Sequence, residues 1–100
     1  MSNLIKMVMI TYNEAIDDEV MEAVAGCGVS SYTKLTKVFG KGDISGTHLG
    51  NDVWPGLNNI LYAACGEDKA KELVSRIGRL RKDLSKEGIK AFMMPVEEMT

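Results

Sequence analysis

The stretch Leu4-Ile5-Lys6-Met7-Val8-Met9-Ile10-Thr11-Tyr12 decides the fold that this sequence predicts. It has the length of a β-strand, and its apolar side chains occupy odd and even positions alike. Successive side chains of a strand point to opposite faces of the sheet, so both faces of this strand have to be covered. Residues 58–65, with the sequence NNILYAAC, have the same two-sided pattern and predict a second buried strand.

Two segments with helical spacing alternate with the strands. In the first, residues 16–28, Asp17 is the predicted N-cap, and Gly26 or Gly28 is the predicted end. The spacing predicts that one face of this helix is buried: Val20, Ala23, Val24 and Cys27. Residues 67–86 also repeat apolar side chains every three or four positions, and Gly88 is the predicted end of that second helix.

Two further strands complete the pattern. Residues 29–42 are rich in β-branched and aromatic side chains, and residues 89–94 form a short apolar run that Pro95 stops. The resulting order is β-α-β-β-α-β, which is the minimum for an α+β sandwich of the ferredoxin-like, split βαβ type. A chain of 100 residues has room for one such domain, so we expect residues 1–100 to form a single unit.

The sheet of such a sandwich carries both helices on one face, and the sequence holds no further element for the other face. The strands nevertheless predict apolar side chains on both faces. Burial of apolar surface stabilises by about 25 cal/mol per Å², and closed, symmetric self-association is the usual way to achieve it. We therefore expect a homo-oligomer.

Composition and charge exclude several classes of protein. The formal net charge is −2 and the pI about 5.3, so the chain lacks the basic footprint of a nucleic-acid-binding protein. The basic run at residues 76–82 is interpreted as the solvent-facing side of a helix. Cys27 and Cys65 have no C-x-x-C spacing and are interpreted as buried thiols in a reducing compartment. The first apolar run is too short for a signal peptide or a membrane span, so we expect a cytoplasmic protein without direct membrane insertion.

Residues 40–56 hold five of the ten glycines, the only histidine and the only tryptophan. Connections of this length inside a compact domain are usually functional. Gly46, Thr47 and His48 offer backbone N–H groups and an imidazole to a small anion, with Lys41 nearby for charge. A hydrogen bond of His48 to its own backbone neighbours is the alternative. The apolar side chains of this segment predict a surface for docking on a partner or for anchoring on a neighbouring subunit: Leu49, Val53, Trp54 and Pro55.

Three features together resemble the PII nitrogen-signalling proteins, specifically their divergent PII-like relatives. They are the βαββαβ order, the Ile16-Asp17-Asp18 entry to the first helix, and Val38-Phe39-Gly40-Lys41-Gly42 at the end of the second strand. The resemblance extends over residues 4–98. It implies a homotrimer, a T-loop-like, partner-binding segment at about residues 40–56, and a small-molecule site in the intersubunit cleft beside Phe39, Gly40 and Lys41. It also implies a membrane transporter or efflux system as the partner.

The standard ATP-binding elements of PII proteins have no counterpart in this sequence. Residues 79–89, RLRKDLSKEGI, lead from the second helix to the last strand without a phosphate-cradling cluster of glycines. The central segment also lacks the tyrosine that is uridylylated in some PII proteins. The sequence therefore leaves the ligand unidentified, with an adenine nucleotide and a divalent metal ion as the two candidates.

No catalytic constellation is visible in the sequence, which has one histidine, no G-x-S-x-G and no Walker loop. We therefore expect a regulator rather than an enzyme. The alternative is a metal-binding or metal-tolerance trimer, in which His48 from three chains forms one tetrahedral site with an open fourth position. A third hypothesis is a purely structural assembly module, in which the central segment only completes the trimer. Four strand methionines are interpreted as core packing rather than as metal ligands: Met7, Met9, Met93 and Met94.

Overall fold

The computed structural model describes residues 4–40, 57–84 and 87–100, and these ranges contain the predicted order of strands and helices. A 3₁₀ turn, Glu14–Ile16, connects the first strand to the first helix. The main elements are β1 (Ile5–Asn13), α1 (Asp17–Gly26), β2 (Thr33–Val38), β3 (Asn58–Gly66), α2 (Glu67–Asp83) and β4 (Ile89–Pro95).

The four strands form one sheet in the order β2-β3-β1-β4, in which every neighbouring pair is antiparallel. Each helix connects two strands that are separated by one other strand. This is the split βαβ arrangement, so the prediction of a ferredoxin-like α+β sandwich is confirmed. The two central strands are β1 and β3, the two segments with apolar side chains at both parities.

The core lies between the sheet and the two helices. β1 and β3 contribute alternate side chains to it, among them Val8, Ile10 and Leu61, each 0% exposed. The predicted buried face of α1 is confirmed, and α2 contributes three residues from its own apolar face. The helix residues of the core are Val20, Ala23, Val24, Ala70, Leu73 and Ile77, and Cys27 joins them from the C-cap of α1. The alternate side chains of the strands and the side chains at 3–4 spacing on the helices therefore pack together in one core layer.

The opposite face of the sheet carries no helix. The register pairs Met9 with Tyr62 and with Phe92 across β1, and Met7 with Ala64 and with Met94. This open face, defined as the side of the sheet away from the helices, is thus apolar across three strands. Phe92 is 41% exposed on it. The interpretation of the strand methionines as core packing is wrong within one chain, since Met7, Met9 and Met94 lie on the open face and Met93 is 39% exposed.

Three predicted boundaries differ from the observed ones. One is the end of the second strand, which lies at Val38 rather than at Gly42. β2 begins only at Thr33, since the N–H of the buried Val29 donates to the Val24 carbonyl and closes the end of α1. α2 ends at Asp83 with Leu84 as its C-cap, so Gly88 does not cap the helix and its carbonyl instead accepts from Asn13.

The prediction of Asp17 as N-cap is also wrong. Asn13 caps the preceding 3₁₀ turn by accepting the N–H of Ala15 at 2.8 Å, and Asp17 is the first residue of α1. Its carboxylate is thereby free to bind side chains of the sheet.

Leu73→Ala should lower the free energy of unfolding by about 2–5 kcal/mol, because Leu73 is fully buried and the shorter side chain leaves a cavity. Leu57→Ala is the matched control, since Leu57 is 40% exposed and should lose less than about 1 kcal/mol. Urea denaturation at one fixed protein concentration measures both. Equal losses in the two variants would contradict the placement of the core.

Candidate functional site

The candidate site lies at the end of the sheet where β2 stops and β3 starts. Val38 pairs with Asn58 there, so the chain between these strands leaves and re-enters the sheet at one place. Phe39 follows β2 directly and is 84% exposed. At Gly40 an added Cβ would come within 2.8 Å of the Asn58 side-chain nitrogen, so the backbone of Gly40 lies close to the first residue of β3.

A carboxylate network underlies this end of the sheet. Asp17 Oδ1 accepts a hydrogen bond from the Tyr12 hydroxyl at 2.6 Å and another from Asn59 Nδ2 at 3.1 Å. Lys34 Nζ lies 3.1 Å from each of the two Asp17 oxygens. The network therefore joins the first turn of α1 to three neighbouring strands.

Asn59 extends the network to the last turn of β2. This residue is 4% exposed, and its Oδ1 accepts the backbone N–H of Lys37 at 3.2 Å. Lys37 has a φ of 55°, and the pairing register of β2 with β3 shifts between Leu35 and Val38. The left-handed backbone is costly for a residue with a side chain, so the Asn59 hydrogen bond stabilises an irregular turn two residues before Phe39.

Electrostatics define the state of the network at neutral pH. Burial alone would raise the pKa of Asp17, but hydrogen bonds from Tyr12, Lys34 and Asn59, with the charge of Lys34, outweigh it and lower that pKa. Burial, together with the hydrogen bond to Asp17, raises the pKa of the Tyr12 hydroxyl well above its usual range. Asp17 is thus an anion and Tyr12 a neutral donor, and three donors already occupy the carboxylate. This arrangement positions the strands around one carboxylate.

The predicted site residues divide into two groups. Phe39 and Gly40 lie at the sheet end, next to the Asp17 network. The remaining predicted binding, docking and metal residues lie outside the described residues: Lys41, Gly46, Thr47, His48, Leu49, Val53, Trp54 and Pro55. Those assignments, including the metal hypothesis for His48, stay predictions.

The sequence analysis missed Tyr12, Asp17, Lys34 and Asn59 as a group. One signal was available, because Asn59 is a polar residue at the start of an otherwise apolar strand. A buried amide in such a position needs hydrogen-bond partners, and the nearest ones lie on other elements. Only the three-dimensional structure identifies them.

No three His, Cys, Asp or Glu side chains within 4–40, 57–84 and 87–100 are grouped to hold a metal ion. Cys27 is buried and Cys65 half-buried, and burial raises the pKa of both thiols. Neither helix in these ranges is long and apolar enough to cross a membrane.

No protein-family model matches the chain, and no curated protein matches it significantly. Solved structures do. A PII-like signalling protein from Thermus thermophilus is 22% identical, with a TM-score of 0.66 over 92% of this chain and 85% of that one. CPII, a nitrogen regulatory PII-like protein from Thiomonas intermedia bound to ADP, AMP and bicarbonate, is 16% identical, with a TM-score of 0.67 over 96% of each chain. A functionally unknown protein from Pediococcus pentosaceus is 14% identical, with a TM-score of 0.63 over 97% and 96%.

These similarities show that the chain has the fold of PII-like signalling proteins. The resemblance deduced from the sequence is thereby confirmed at the level of fold, and the low identity agrees with a divergent sequence.

Asp17→Asn should lower the free energy of unfolding at pH 7 by about 1–3 kcal/mol, because the amide cannot accept all the bonds that the carboxylate accepts. The folded-state pKa of Asp17 is lowered, so its contribution is complete above the unfolded-state pKa of about 3.9 and is lost as the pH falls through the folded-state pKa. The difference between wild type and variant should therefore shrink below about pH 4.

Urea denaturation at pH 7 and at acid pH measures this difference. Asp18→Asn is the control, since Asp18 is an exposed acid one residue away. A loss for Asp17→Asn that is the same at both pH values, or equal to that of the control, would contradict the network.

Proposed function

We propose that this chain is the protomer of a PII-like homotrimer that binds a small ligand between subunits and regulates a partner protein without catalysing a reaction. The ligand site comprises Phe39, Gly40 and Lys41, extended by Gly46, Thr47 and His48. The segment at residues 40–56 contacts the partner. A membrane transporter or efflux system fits this role, as the family resemblance implies.

The apolar open face is the observation that carries the proposal. Three strands present large apolar side chains there, including Met9, Tyr62 and Phe92, and no helix among the described residues covers them. Full burial of one such side chain stabilises by about 1.5–3 kcal/mol, so a handful of them offsets an association cost of roughly 4–15 kcal/mol. Three copies around an axis can bury all three faces together.

The sheet end supports a ligand site beside the interface. Phe39 is 84% exposed in the single chain, and the strand end that carries it is held by the Asn59 hydrogen bond to Lys37. An exposed aromatic ring at this strand end offers a stacking surface, and Lys41, two residues further along the sequence, offers a cation for an anionic group. CPII binds ADP, AMP and bicarbonate, so these ligands are the first candidates for this chain.

A regulatory role follows from what the site can do. The Asp17 carboxylate is occupied by three donors, and the exposed groups at this end suit recognition rather than bond-making. A ligand that binds better to one arrangement of residues 40–56 shifts the population toward it. The partner then responds to the ligand through that segment.

ADP, AMP and bicarbonate, titrated separately, should change the fluorescence of Trp54, which is the only tryptophan and lies inside the partner-binding segment. Phe39→Ala and Lys41→Ala should each weaken nucleotide binding by about tenfold or more, as loss of a stacking or charge contact of about 1–2 kcal/mol predicts. Calorimetry measures the dissociation constants.

Lys71→Ala is the control, because it removes an exposed lysine from the outer side of α2. Its affinity should match the wild type. Unchanged affinity in Phe39→Ala and Lys41→Ala, or no fluorescence response to any of the three ligands, would contradict the proposed site.

A further inference from the structure

A groove lies along the outer edge of β4. Among the described strands β4 pairs only with β1, so it is an edge strand. The backbone N–H and C=O groups on its outer side have no partner in any other described strand. Between this edge and α2 lies a groove of about 280 Å³. Its apolar lining comes from both elements: Val74, Ile77, Gly78, Ala91 and Phe92. An added Cβ at Gly78 would meet no atom within 4 Å, so the groove is open at that point.

Two cations border this α2–β4 groove. Arg81 and Lys90 line it and are exposed, and neither has an ion-pair or hydrogen-bond partner in the described part of the chain. Arg76 on the same helix differs, since it is paired with Glu72 at 3.7 Å. The chain has a net charge of −2, yet residues 76–82 contain four basic and no acidic side chains. The groove therefore suits an extended segment that carries carboxylates.

The residues after β4 have the complementary chemistry. The backbone N–H of Val96 donates to the Ile5 carbonyl at 3.3 Å, which holds the chain beside β1 up to that point. Glu97 and Glu98 follow, exposed and without an ion-pair partner among the described residues. Met99 comes next and is 59% exposed. Two carboxylates beside an apolar side chain match two cations beside an apolar groove.

We propose that the α2–β4 groove of one subunit binds residues 96–99 of a second copy of this chain. The segment lies along the free edge of β4 as an added strand. Glu97 and Glu98 face Arg81 and Lys90, and Met99 packs into the apolar part of the groove. The inference rests on the homotrimer proposed above and identifies a contact between subunits along the outer edge of β4, which adjoins the open face at Phe92.

The geometry of β4 favours a second copy over the same chain. Lys90 pairs with Thr11 at one end of β1, whereas Pro95 pairs with Lys6 at the other. A strand rises about 3.3 Å per residue, so Val96 lies about 20 Å from Lys90. Residues 96–99 therefore begin at the end of β4 that is far from Lys90, which does not favour binding to the groove of the same chain.

Edge-strand chemistry also favours an acidic occupant. A lysine on an edge strand discourages pairing with an uncharged strand, because its charge would be buried without a partner. Lys90 has this position on β4. A strand with a carboxylate opposite the lysine removes that cost, so the edge selects for a segment such as residues 96–99.

Photo-cross-linking of the full chain tests the proposal. A benzophenone side chain replaces Met99 in isotope-labelled protein, which is mixed and allowed to exchange subunits with unlabelled protein, and mass spectrometry locates the cross-links. We expect links between position 99 of one copy and residues 74–92 of another. The same group at Leu57, an exposed leucine outside the groove, is the control and should give no links to that region.

Charge reversal adds a second readout. R81E/K90E and E97K/E98K should each reduce the cross-link yield by roughly five- to tenfold, and the quadruple variant should recover it, as two partly exposed ion pairs predict. K71E/R79E makes the same charge change as R81E/K90E at α2 positions outside the groove and should leave the yield unchanged.

The failures of the two proposals are distinguishable. Two results would overturn only the contact of residues 96–99 with the groove. One is a trimer in sedimentation that gives no intermolecular cross-links to residues 74–92, and the other is a quadruple variant that does not recover the cross-link yield. A monomer would overturn the homotrimer as well.

Discussion

The structure depends on the pairing of two strands, β1 and β3, that are apolar on both faces. One face packs on the helices through side chains such as Val8 and Leu61, both 0% exposed. The other face has no cover among the described residues. In a single copy of the chain, the methionine, tyrosine and phenylalanine side chains of the open face would be exposed to solvent. The same constraint that builds the core therefore favours assembly with further copies.

At the end of the sheet that carries the candidate site, polar side chains hold the last turn of β2. Phe39 follows the last residue of β2, so the position of Phe39 depends on the end of this strand. The pairing of β2 with β3 is irregular there, at Lys37. Asn59 supplies the missing backbone partner, and Asp17 gathers Asn59, Tyr12 and Lys34 around one carboxylate. A buried amide and a carboxylate with three hydrogen-bond donors stabilise the strand end, whose neighbours carry the predicted ligand contacts.

Much of the fold was predictable because it rests on periodicity. The two-sided pattern of residues 4–12 and the 3–4 spacing of Val20, Ala23 and Val24 define their elements without tertiary information. The errors fall where particular hydrogen bonds, some local and some between distant residues, compete with the residue preferences that the sequence shows. Asp17 has the chemistry of an N-cap, yet its carboxylate binds Tyr12 and Lys34, and a side chain of Asn13 caps the preceding turn. The candidate site was predictable only at Phe39 and Gly40, because the Asp17 network unites residues from four elements.

Sedimentation equilibrium at micromolar concentration tests the central claim most directly. A protein whose open sheet faces are buried together should sediment at about three times the chain mass of 10.9 kDa. Met9→Glu, which places a charge in the middle of the open face, should reduce that mass toward a single chain. A wild-type protein that sediments as a stable monomer would contradict the account.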